Sequence, residues 1–172
     1  LLPSSGQRVW ICQNGAWQLL GTPSFFEMGL SHARWHYALP NCSVEISTVA
    51  ATDAPACRLD IQVVSGPAQA FLITTGLIGG VNEYDASATL VVDAEGASAT
   101  VQAAADNMFR AQHPDAAFQI RVGDAQDVVA MGGAELLAGG TDEQAMLVIE
   151  TRAVTTCSVY ASDGTISAES AD

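Results

Sequence analysis

No lysine occurs among the 172 residues, and arginine supplies all six basic side chains, at positions 8, 34, 58, 110, 121 and 152. Without lysine there is no phosphate-binding Gly-Lys-Ser/Thr loop and no Schiff base for a pyridoxal enzyme. Nineteen acidic residues bring the formal charge to −13. No basic patch can be assembled to neutralise phosphates and release counterions, so nucleic-acid partners are excluded. Anionic membrane surfaces are disfavoured for the same reason.

Long apolar runs are also missing. The uncharged stretch from Pro67 to Asn82 is broken by Gly76, Gly79, Gly80 and threonines, which argues against membrane insertion. Leu1-Leu2-Pro3-Ser4-Ser5 lacks the basic, apolar, small-residue order of a signal peptide. A start at Leu1 without methionine is what a processed product or a fragment would show.

Catalytic signatures are equally scarce. There is no Gly-x-Ser-x-Gly elbow, no His-Glu-x-x-His and no Cys-x-x-Cys. His32 and His36 are four apart on an expected helix and could face one metal, but Ala33 replaces the catalytic glutamate and His113 stands alone. Asp93/Glu95, Asp124/Asp127 and Asp142/Glu143 fall in expected turns. They read as acidic loops solvating an acidic protein, with loop calcium as the functional alternative. No cofactor is expected.

What the chain does contain is strand signal. Cys42, Val44, Ile46 and Thr48 alternate with Ser43, Glu45 and Ser47; Cys57, Leu59, Ile61 and Val63 alternate with Arg58, Asp60 and Gln62. That period of two marks strands buried on one side. Further strands are expected at 70–75, 87–92, 98–102, 118–122, 128–131, 145–153, 158–161 and 165–168. Helices are expected at 25–35, from the Ser24-to-Glu27 capping pattern, at 103–112, and as one turn at 134–137. Arg8–Cys12 and Ala16–Leu20 flank Asn14-Gly15, a tight hairpin turn. Over this dozen residues the Cys-x-x-Gly-x-Trp pattern resembles hairpins of bacterial surface and phage-tail proteins.

The fold class expected is all-β: an antiparallel sandwich or jelly roll with one or two short helices and an N-terminal hairpin. The candidate boundary lies near Pro40-Asn41. It divides a hairpin-plus-helix appendage, residues 1–40, from a sandwich, residues 41–172, unless the two are one continuous domain.

The four cysteines, an even number, suggest disulfides and an oxidising place: cell exterior, periplasm or virion surface. Cys42 and Cys57 begin successive strands of an expected hairpin. About seven residues at ~3.3 Å each put them roughly 23 Å apart, too far for a bridge. The preferred pairing is therefore Cys12–Cys42 and Cys57–Cys157, which would staple the N-terminal unit to a closed sandwich.

Six of the eleven aromatics lie in the first 37 residues, including Trp10, Trp17, Trp35 and Tyr37. They read either as a small local core or as a surface for a neighbouring subunit or a sugar ring. The leading expectation is a non-enzymatic structural or adhesive module of a surface assembly such as a virion, fibre or pilus. Its partners would be other protein subunits, in a homo-oligomer or larger assembly. The alternatives are a carbohydrate-binding module that uses these aromatics, and a secreted hydrolase.

Overall fold

The computed structural model describes residues 6–77, 88–105, 108–137 and 146–163. Thirteen strands follow one another among them: β1 (Gly6–Gln13), β2 (Ala16–Leu19), β3 (Phe25–Met28), β4 (His32–Ala38), β5 (Ser43–Ala50), β6 (Ala56–Ser65), β7 (Gln69–Gly76), β8 (Ala88–Asp93), β9 (Ser98–Ala103), β10 (Phe118–Val122), β11 (Val128–Gly132), β12 (Met146–Val154) and β13 (Thr156–Asp163). One short helix, α1 (Met108–Gln112), follows β9, and 3₁₀ turns cover Ala125–Asp127 and Ala134–Leu136. The expected strand at 165–168 lies outside the described residues.

Two antiparallel sheets form a sandwich. One has five strands in the order β11-β12-β7-β1-β2; the other has eight, in the order β3-β4-β5-β6-β13-β10-β9-β8. Their facing sides meet in one apolar cluster that includes Ile11, Phe71, Ile73, Leu147 and Ile149 from the smaller sheet and Val44, Ile46, Ile61, Ile120 and Val159 from the larger. Alternation produces this layer directly. Val44 and Ile46 point in while Glu45 and Ser47 point out, and β6 repeats the pattern with Leu59, Ile61 and Val63.

Among the described residues, 6–40 do not form a separate appendage. β1 and β2 belong to the five-stranded sheet, and β3 and β4 form the end of the eight-stranded one. The hairpin at Asn14-Gly15 is present, with positive φ of 53° and 77° at the two turn residues. The helix expected at 25–35 is a second hairpin instead. Ser24 does not cap a helix: its Oγ accepts from Ala38 N at 3.0 Å, while Gly29 N donates to His32 O across the turn. Gly29 is a poor helix residue, and the flanking aromatics pack well across strands. Phe26 and Trp35 are direct cross-strand partners with ring centroids 5.3 Å apart.

Tyr37 ties the sheets together. It is only 7% exposed, and its hydroxyl donates toward the carbonyls of Gly21 at 3.3 Å and Leu20 at 3.5 Å, where the chain leaves β2. Burial raises the phenol's pKa above its usual value.

Candidate functional site

The cysteines stand as four free thiols. Each preferred bridge fails for a geometric reason. In the β6–β13 ladder Cys57 faces Ala161, and Cys157 faces Ile61. The two cysteines are thus offset by four residues, or roughly 13 Å along the sheet, beyond disulfide reach. Cys42 lies in the inter-sheet core, whereas Cys12 alternates with core residue Ile11 and shares the opposite face of β1 with Trp10. The separation of Cys42 from Cys57 holds, because Cys57 pairs with Ala50, at the far end of β5. The argument from paired cysteines to an oxidising compartment loses its structural basis.

Denaturation without reductant is therefore expected to expose four titratable thiols, and peptide mapping should find no bridged pair. In the folded chain Cys57 should alkylate first, being exposed, while buried Cys42 and Cys157 are protected. The Cys157 thiol is pushed up to about 11, chiefly by burial, with Asp127 and Asp60 adding repulsion. It stays protonated at neutral pH. Its folded pKa lies above the unfolded value of 9.0, so the stabilisation is complete below pH 9 and is lost as pH rises from there toward 11.

The four aromatic candidates do not meet. Trp10 and Trp17 lie on the outer face of the five-stranded sheet, opposite Leu19 and Cys12 respectively. Trp10 is half-buried and its Nε1 donates to buried Thr74 at 3.5 Å. Trp17 is 37% exposed. Trp35 and Tyr37 belong to the other sheet and point into the sandwich. Tyr37 is a buried tether and cannot offer a ring to a sugar. The aromatic excess of the N-terminus is thus divided between two sheets and two faces.

The acidic turn residues have local tasks. Asp93 Oδ1 accepts from Gly96 N at 3.0 Å, and Asp124 Oδ1 accepts from Gln126 N at 2.9 Å; each closes a turn. Asp142 and Glu143 lie outside the described residues. His32 and His36 share one face of β4 rather than of a helix. Four strand residues separate them by roughly 13 Å, so they cannot bind one ion. Among the described residues no group of three or more His, Cys, Asp or Glu is placed to hold a metal.

Those histidines belong to a different constellation, on the outer face of the eight-stranded sheet. Register sets it out in rows. Phe25 lies opposite His36, His36 opposite Glu45 and Glu45 opposite Gln62; beside them run Glu27, Arg34, Ser47, Asp60 and Ser158. A third row runs through His32, Val49, Arg58, Tyr160 and Arg121. The charges interlock. Arg34 Nε is 3.1 Å from Glu45 Oε1, and its Nη1 is 3.8 Å from Glu27 Oε1. His36 Nδ1 is 3.3 Å from Glu45 Oε2, and His32 Nε2 is 3.7 Å from Glu27 Oε1. The Arg34 Nε–H does not point at its carboxylate, so charge more than directed hydrogen bonding holds that pair. Further along, Asp60 accepts from Arg58 Nε at 2.9 Å and from Ser158 Oγ at 2.6 Å. The Arg121 guanidinium carbon lies 5.3 Å from the centre of the Tyr160 ring. Phe25 stands at the edge, 59% exposed.

This face was legible only in part. Alternation shows Glu45, Arg58, Asp60 and Gln62 pointing away from the core. The missed members, Phe25, Glu27 and Arg34, were hidden by the helical reading of 25–35. The alternation of Phe26, Trp35 and Tyr37 with Glu27, Arg34 and His36 was the signal that could have found them.

Fold and face define a two-sheet antiparallel sandwich with a dense apolar core and a polar, hydrogen-bonding outer surface. The chain belongs to the glycoside phosphorylase supersandwich domain family, whose model matches residues 1–161. A 1,2-beta-oligoglucan phosphorylase of Listeria innocua serovar 6a is 26% identical over 85 residues. Those residues are 49% of this chain but only 8% of that protein. A solved polysaccharide lyase shares the fold, with a TM-score of 0.52 and 7% identity over 96% of this chain and 26% of that one. These relationships make the chain a carbohydrate-related β-sandwich.

Proposed function

We propose that the chain is a non-catalytic sandwich module of a carbohydrate-active enzyme, serving an active site carried elsewhere, with phosphorolysis of β-linked gluco-oligosaccharides as the reaction it supports. The family match across residues 1–161 carries this reading. The name of the Listeria relative supplies the reaction and substrate class. The cross-strand charge network supports a binding or docking role: its carboxylates are held against Arg34, Arg58 and the two histidines.

The exposed edge strand β3 suits attachment to the rest of such an enzyme. Phe26 and Met28 lie on its inner side, and Leu30 lies in the turn that follows; all three are exposed. Burying them against a neighbouring domain would remove apolar surface from water.

The test uses the purified chain with 1,2-β-linked gluco-oligosaccharides and inorganic phosphate. No glucose 1-phosphate or shortened oligosaccharide is expected above the protein-free control. Turnover at about 1 s⁻¹ or more, within the ordinary enzyme range, would overturn the non-catalytic reading.

A further inference from the structure

We infer that the outer face of the eight-stranded sheet, centred on Phe25, Arg34, His36 and Glu45, is a binding surface for a neutral gluco-oligosaccharide. The inference rests on the carbohydrate reading above and goes beyond it by placing the contact.

Charge is the first argument. On the outward positions of β3, β4, β5, β6, β13 and β10, Arg34, Arg58 and Arg121 stand against Glu27, Glu45 and Asp60. Three positive groups match three negative ones. On β8, at the far edge of the same sheet, Asp93 adds one further outward carboxylate, in the row of Ser98 and Arg121. A strongly charged partner finds no matching excess of opposite charge on these six strands. A neutral, hydroxyl-rich ligand suits a face whose charges nearly balance yet which is dense in donors and acceptors.

Side-chain chemistry is the second argument. Sugar hydroxyls pair well with planar groups that offer two atoms at once, such as carboxylate, guanidinium and amide. Glu45, Arg34 and Gln62 are of this type, and the cross-strand contacts hold Arg34 and Glu45 in place, which lowers the entropy lost on binding. Phe25, opposite His36 at the sheet edge, adds an exposed ring for the apolar C–H face of a pyranose. Trp17, on the other sheet, is remote from this cluster.

Isothermal titration of the intact chain with 1,2-β-linked gluco-oligosaccharides tests the placement. Wild type should bind. Phe25→Ala and Arg34→Gln should each weaken binding by about tenfold, the equivalent of about 1.4 kcal/mol. Phe25→Tyr should retain it, and Trp17→Ala should leave it unchanged. Thermal unfolding like that of wild type verifies that the exposed-residue variants fold. Three outcomes overturn the inference: no binding by the wild type, unchanged binding in both Phe25→Ala and Arg34→Gln, or loss confined to Trp17→Ala. Each leaves the non-catalytic reading intact, because that reading fails only on turnover.

Discussion

Gly66→Ala is expected to lower stability by about 3 kcal/mol, combining a left-handed backbone penalty with a steric one. Gly66 follows β6, where the chain leaves the larger sheet for β7 of the smaller. Its φ is +95°, and a Cβ there would lie 2.5 Å from Asn41 O and 2.8 Å from Cys42 Cβ. Neither obstacle is the far end of a flexible side chain. Cys42 is itself buried in the core, so relief must come from moving the start of β5 or the crossover. Gly15→Ala is the control. Its φ is +77°, yet nothing lies within 4 Å of the added carbon. That variant should lose only the conformational part, about 1–2 kcal/mol. Urea midpoints for the two variants separate the terms. A Gly66→Ala loss no larger than that of Gly15→Ala would show that the crossover is not tightly packed.

Phe71→Ala is expected to cost about 3–5 kcal/mol, the range for emptying an aromatic site in a packed core. Phe71 has no exposed surface and lies on β7, the middle strand of the five-stranded sheet, flanked by β1 and β12. Its ring joins the cluster shared by both sheets. The backbone there is also constrained. The β12 register shifts between Glu150 and Ala153, and at that bulge Thr151 Oγ1 accepts from Phe71 N at 2.9 Å. A neighbour so held cannot easily collapse into the cavity. Val91→Ala, on edge strand β8 and well exposed, should change stability by less than about 0.5 kcal/mol. Equal effects in the two variants, read from denaturant midpoints, would contradict the assignment of Phe71 to the inter-sheet core.

The residues themselves announce much of this architecture. The alternation in 42–50 and 57–65 marks two one-sided strands, and β5 and β6 occupy Ser43–Ala50 and Ala56–Ser65. Their order as a hairpin follows from a short turn, and it separates Cys42 from Cys57 as strand geometry demands. The turns at Asn14-Gly15 and at 93–96 were equally readable, because positive φ and side-chain caps are local requirements.

The stretch 25–38 was misleading for the opposite reason. Ser24 followed by Glu27 satisfies a helix-capping rule, but a capping box contributes only a little. Pairing β4 with β5 and burying Tyr37 contribute more. The competing strand state gains its stability from cross-strand pairing and inter-sheet burial, which the alternation around Phe26, Trp35 and Tyr37 signals only in part.

The outer-face site shows the same division. Its residue types are visible, yet Phe25, Arg34, Glu45, Asp60 and Ser158 become neighbours only when strand order and register are set. The pairing of the cysteines depends on the same information. Period-two patterning settles which side of a strand faces the core, because neighbouring side chains must point to opposite faces. It carries nothing about the partner strand or the offset along it. Thus the amino-acid order dictates an acidic, lysine-free, all-β chain with one face of each strand turned inward. Long-range pairing decides that four well-placed cysteines never meet, that the N-terminal aromatics divide between two sheets, and that six matched charges gather on one open face.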